Sequence, residues 1–147
     1  MSLRGVLFAF EADRLASPEG RDAIARCFAR YRLGVVSDSP AAGSGPEVQA
    51  AFAAHDLHRY FEAWATTADI GDDRRRVVRA ALGSMGVQPR ESAVVASDPE
   101  TAAAANSAGC HVVVVAASVP ALARDDRGAV CVAGLGDVPA GLTGLAP

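Results

Sequence analysis

The sequence contains no lysine. All of its positive charge sits on 14 arginines, which bring a planar, permanently charged fork in place of a mobile amine. Every cationic role must therefore fall to arginine. Cysteine is scarce: Cys27, Cys110 and Cys131 are odd in number, far apart and set among apolar neighbours, so they read as buried thiols rather than a disulfide framework. His55, His58 and His111 do not join them at zinc-site spacing. No apolar run approaches the roughly 20 residues needed to cross a bilayer, and the N-terminus has neither the basic segment nor the cleavage site of a signal peptide. The expectation is a cytoplasmic chain with no membrane partner. Charge is nearly balanced, with 17 acidic residues against the 14 arginines and a net charge of −3, which argues against nucleic acid as a partner.

Half of the 147 residues are hydrophobic, enough for a single domain, 1–147, with a sizeable core. Short β-branched runs alternate with segments of helical period, the pattern of a Rossmann-like α/β fold in which helices cover both faces of a parallel sheet, in three layers. Gly5 to Phe10 reads as the first strand. Ser17-Pro18 starts a helix whose Ile24, Cys27, Phe28 and Tyr31 face the core. Leu33 to Val36 is the second strand, and a Gly/Ser/Pro-rich loop leads to a helix carrying Val48, Phe52 and His55. An aromatic patch of Tyr60, Phe61 and Trp64 precedes an extended piece at Ala65 to Thr67. A helix begins at Asp72-Asp73, buries Val77, Val78, Ala81, Leu82 and Met85, and stops at Gly86. Its charged face is Arg74, Arg75, Arg76 and Arg79. Strands at Ala93 to Ala96, His111 to Ala116 and Ala129 to Ala133, with a helix from Pro99 to Ala108, complete the pattern. The Gly/Pro-rich tail, 135–147, is expected to pack loosely.

Four segments occur in an order that resembles the four conserved segments of the haloacid dehalogenase (HAD) superfamily. The first is Val6-Leu7-Phe8-Ala9-Phe10-Glu11-Ala12-Asp13, and the second is Leu33-Gly34-Val35-Val36-Ser37-Asp38. The third is Ala68-Asp69-Ile70-Gly71-Asp72-Asp73-Arg74, and the fourth is Val94-Val95-Ala96-Ser97-Asp98-Pro99-Glu100. The resemblance implies a HAD-like fold, and the roughly 27 residues between Ala9 and Ser37 leave no room for an inserted cap domain. It also implies a site in which family members carry an attacking aspartate, a second aspartate as acid and base, a phosphate-holding Ser or Thr, a lysine, and acids that hold Mg²⁺.

Against that pattern this chain places Ala9 at the nucleophile and Glu11 at the acid/base. A register shifted by two would make Glu11 the nucleophile and Asp13 the acid, at the cost of driving Phe8 and Phe10 further into the strand. Ser37 is retained, although a serine at a strand end also serves as an ordinary turn residue. Asp72 stands at the lysine, with Arg74 or Arg75 as substitutes unless they only form a solvated helix face. In the fourth segment Ser97 replaces one acid and Asp98 remains, where it would also cap the following helix.

A methyl group neither attacks phosphorus nor binds Mg²⁺, so no metal or other cofactor is expected. The leading expectation is a non-catalytic partner or scaffold subunit, for instance beside an active enzyme in a biosynthetic assembly. Its interface would draw on Tyr60, Phe61, Trp64 and the arginines at 74, 75, 76 and 79, because aromatics and arginine are enriched at interface centres. One alternative is an enzyme of altered, metal-independent chemistry on a phosphorylated or sulfated small molecule, using Glu11, Asp13, Ser37 and Asp98. Another is a small-anion binding module at Ser37, Arg74 and Arg75, which Asp98 would oppose.

Overall fold

The computed structural model of the chain describes residues 3–37, 43–116, 123–124 and 129–145. The chain opens with β1 (Gly5–Phe8), α1 (Ala12–Leu15), α2 (Pro18–Phe28) and β2 (Arg32–Ser37). It continues through α3 (Gly45–Ala54), β3 (Ala63–Thr66), α4 (Thr67–Ile70), α5 (Arg74–Met85) and β4 (Ser92–Ala96). The last third comprises α6 (Pro99–Ser107), β5 (His111–Val115), β6 (Ala123–Arg124), β7 (Val130–Val132) and α7 (Val138–Thr143).

Seven strands form one sheet in the order β3-β2-β1-β4-β5-β7-β6. Every pairing is parallel except that of β6 with β7. The order runs outward in one direction from β1 through β2 to β3, and in the other through β4 to β5. A topological switch point therefore lies between β1 and β4, where the connecting chains diverge and leave a crevice at the carboxyl ends of the strands.

The period-two alternation of β1 divides the core between the two faces of the sheet. Val6 and Phe8 join Ile24 and Cys27 of α2, Val48 and Phe52 of α3, and Val138 and Leu142 of α7. Leu7 points the other way, toward Val77, Val78, Ala81, Leu82 and Met85 of α5 and Ala105 of α6. These are the three layers that the alternation of runs predicts. The stripe predicted for α5 is buried in full, and Gly86 ends the helix in the left-handed region at φ 69°, which costs glycine little.

Several elements differ from the sequence-based expectation. β1 stops at Phe8, because the chain turns after Ala9 into the short α1. Phe28 does not face the core but is 51% exposed. The buried stripe of α2 is Gly20, Ala23, Ile24 and Cys27, and Phe28 lies a further 100° round the helix at its last residue, where its ring meets Tyr60 edge-on at 5.3 Å. Phe61, expected at an interface, is core: its ring packs against Phe8 at 5.9 Å and Phe52 at 5.3 Å, while Trp64 is half-buried against Phe52. The tail is not loose through residue 145. Val138 and Leu142 are fully buried, and the Gly136 N–H donates to Glu19 Oε1 of α2 at 2.7 Å. Among the described residues no helix is long and apolar enough to cross a membrane.

Candidate functional site

The crevice at the switch point holds a cavity of about 190 Å³ bounded by the ends of β1, β2 and β4 and by α1. Its floor is set by the parallel register, which aligns Phe8 with Val35 on one side and Val95 on the other. The next residue, Ala9, still donates its N–H to the Val95 carbonyl at 2.9 Å, so its methyl group sits at the strand tip and on the cavity wall. Ser37 ends β2 beside it, paired in register with Thr66 of β3.

Across the cavity, Ser97 follows β4 and Asp98 caps α6, its Oδ2 accepting the Thr101 N–H at 3.0 Å. Glu11 stands at the N-cap position of α1, exposed and with no side-chain cap bond, on the same cavity wall. Sequence reasoning brought Ala9, Glu11, Ser37, Ser97 and Asp98 to one place, and the fold assembles these five.

The other candidates are elsewhere. Asp13 lies on α1, exposed, accepting the neighbouring Arg14 N–H at 3.0 Å. Asp72 is exposed in the turn before α5, and Asp73 caps that helix through the Arg75 N–H at 3.0 Å. Arg75, Arg76 and Arg79 are exposed along α5. Arg74 alone of this row turns inward: it pairs with Glu100 and lines a narrow cleft with Ala9, Val36 and Ser37. Asp38 falls outside the described residues.

One side chain that lines the cavity was not singled out in the sequence. Arg14, on α1, reaches back into the cavity, where Nη1 donates to Ser97 Oγ at 3.1 Å and the guanidinium stands 4.7 Å from the centre of the Phe10 ring. The signal was available as Phe10-x-x-x-Arg14, but the short helix that makes this spacing effective was expected to be loop. Gly20 fixes α1 in turn. A Cβ there would come within 2.5 Å of the Leu15 carbonyl oxygen, so only glycine lets α2 close on the end of α1.

Family resemblance implies Mg²⁺ in this crevice, and the donor set can be tested against that ion. Mg²⁺ demands near-octahedral oxygen ligation. Here the strand tip offers a methyl group, the Ser97 hydroxyl accepts from a guanidinium, and one Asp98 oxygen is committed to the α6 cap. Among the described residues no three His, Cys, Asp or Glu side chains gather to hold a metal. These residues do not fit a hard divalent cation.

Two of the buried thiols are perturbed by their surroundings. Burial pushes the Cys27 thiol up to about 12 and raises that of Cys110.

No protein-family model and no curated protein matches the chain. Solved structures do. A 2-haloacid dehalogenase from Pseudomonas syringae pv. Tomato DC3000 superposes with a TM-score of 0.70 at 19% identity, over 88% of this chain and 54% of that one. The L-2-haloacid dehalogenase from Xanthobacter autotrophicus, with chloropropionic acid covalently bound, gives 0.70 at 19% identity, over 88% and 62%. The core domain of a phosphoglycolate phosphatase candidate from Streptococcus pneumoniae TIGR4 gives 0.69 at 10% identity, over 94% and 93%. The chain thus spans little more than half the length of the full dehalogenases and nearly all of an isolated core domain. The fold is that of the HAD superfamily.

Proposed function

We propose that this chain, folded like the haloacid dehalogenases, is a catalytically silent domain that acts as a partner or scaffold subunit, for instance in a biosynthetic enzyme complex. The observation that carries the reading is the Ala9 methyl group at the tip of the central strand. Covalent phosphoryl or acyl chemistry begins with a nucleophile, and a methyl group has no lone pair to offer. Metal-assisted attack by water is no easier, because the Arg14 guanidinium on Ser97 places a fixed positive charge beside the acids that a cation would need.

A surface suited to a partner lies at the other end of the sheet. There the exposed Phe28 leans on Tyr60, and the Arg59 guanidinium stands 5.4 Å from the centre of the Tyr60 ring. Aromatic side chains beside arginine are the usual chemistry of interface anchors.

Two measurements test the reading. With Mg²⁺ present, the purified chain is expected to leave p-nitrophenyl phosphate and 2-chloropropionate unchanged. Mixed with the products of its neighbouring genes, it is expected to co-elute with one of them, and Phe28→Asp to weaken that complex. Saturable hydrolysis that disappears in Glu11→Gln would instead establish an enzyme of altered chemistry and overturn the silent reading.

A further inference from the structure

The cavity beside Ala9 combines charges of both signs. Arg14 contributes one guanidinium, while Glu11 and Asp98 contribute two carboxylates. Among the described residues none of the three forms an ion pair, although they share one small space. Arg14 is held in place: one N–H bonds Ser97 and the guanidinium rests over Phe10, which leaves other donors of its five-donor fork for a ligand.

The charges decide what such a ligand is. A phosphate or sulfate ester would gain from Arg14 but meet two carboxylates, and a bare dication would gain from the carboxylates but meet the guanidinium. A molecule carrying one carboxylate and one ammonium satisfies both walls, with the Ser37 and Ser97 hydroxyls able to bond either end. Size points the same way. About 190 Å³ is below the roughly 300–1,000 Å³ of pockets for drug-sized ligands, so the occupant is small. The position, at the carboxyl ends of the strands at a topological switch point, is where open α/β sheets bind ligands.

We propose that this pocket binds a small zwitterion of the α-amino-acid class without a metal, its carboxylate on Arg14 and its ammonium on Glu11 and Asp98. The inference does not depend on whether the chain docks with a protein partner, since it is read on the chain alone.

The test is calorimetric titration and thermal shift of the full chain with the individual proteinogenic amino acids, and with acetate, methylamine and inorganic phosphate as controls. At least one amino acid is expected to bind saturably and raise the melting temperature, while the three controls do neither at the same concentration. Arg14→Gln and Glu11→Gln are each expected to weaken that binding at least tenfold. Should Arg14→Gln fail to fold, Glu11→Gln decides the matter, since the exposed Glu11 side chain makes no cap bond in the fold. The proposal is overturned if no amino acid binds, if phosphate binds more tightly than every amino acid, or if Glu11→Gln leaves binding unchanged. None of these results bears on complex formation, so failure here and failure of the partner reading remain distinguishable.

Discussion

Along β1 and its continuation the chain passes, within a few residues, from complete confinement to open surface. Val6, Leu7 and Phe8 are 0% exposed and gripped from both faces of the sheet, whereas Ala9 stands at the tip and Glu11 is exposed beside the cavity. The first region reads as an ordinary buried parallel strand, and the second carries a methyl group at its tip and an exposed carboxylate two residues on. The contrast teaches that packing and chemistry are separable here. A residue in the sheet interior is constrained by every neighbour, while one at the strand tip is constrained chiefly by what enters the crevice.

The comparison can be broken most directly at Phe8. Its ring touches Phe61 and is fully buried, so Phe8→Ala is expected to cost about 3–5 kcal/mol in denaturant titrations. A cost below 1 kcal/mol would mean that the interior is as loosely specified as the tip.

Gly20→Ala tests the link between the two regions. The added methyl would press on the Leu15 carbonyl oxygen, and a loss of about 1–3 kcal/mol is expected. Because α1 must then move, the Arg14 bond to Ser97 should loosen as well, visible in the side-chain NMR signals of Arg14.

Alkaline pH probes the interior through Cys27. Burial holds its folded pKa near 12, above the usual value of 9.0, so between these values the folded state keeps a proton that the unfolded chain releases. Stability is fully present below pH 9 and should fall by about 1.4 kcal/mol per pH unit as the pH rises from 9 toward 12. Cys27→Ala should flatten this slope in a series of melting curves; an unchanged slope would assign it to other groups.

At the tip the expected effects are smaller. Asp98→Ala removes the cap on the Thr101 N–H and should cost about 1 kcal/mol. Ala9→Asp should also cost about 1 kcal/mol, because Ala9 is half-buried and packs against the core on the α5 face of the sheet. It should also leave phosphatase activity at background, because Arg14 and Ser97 still occupy the metal side of the crevice. Restored Mg²⁺-dependent turnover in Ala9→Asp would show that the methyl group alone silences the site.

Most of the sheet was legible in the sequence because parallel strands buried on both faces leave long β-branched runs, and α5 was legible because one face of a helix repeats every three to four residues. The crevice was legible only in part. Ala9, Ser37 and Asp98 lie at strand and helix ends that composition marks, whereas Arg14 depends on α1, a helix of 4 residues too short to leave a periodic signal. Phe28 and Phe61 were misplaced for a related reason. Hydrophobicity says that a ring prefers burial, but only the positions of the neighbouring elements say which rings the core has room for.

The amino-acid sequence by itself determined the alternation of strands and helices, the absence of lysine and the methyl group at Ala9, since each is a property of the chain read in order. Only the tertiary structure decided that Arg14, which is 83 residues from Ser97 in the chain, would bond to it and that Arg14, Glu11 and Asp98 would share one cavity. Electrostatic partners are chosen by distance in space, and that distance is set by how β1, β4 and α1 converge at the switch point.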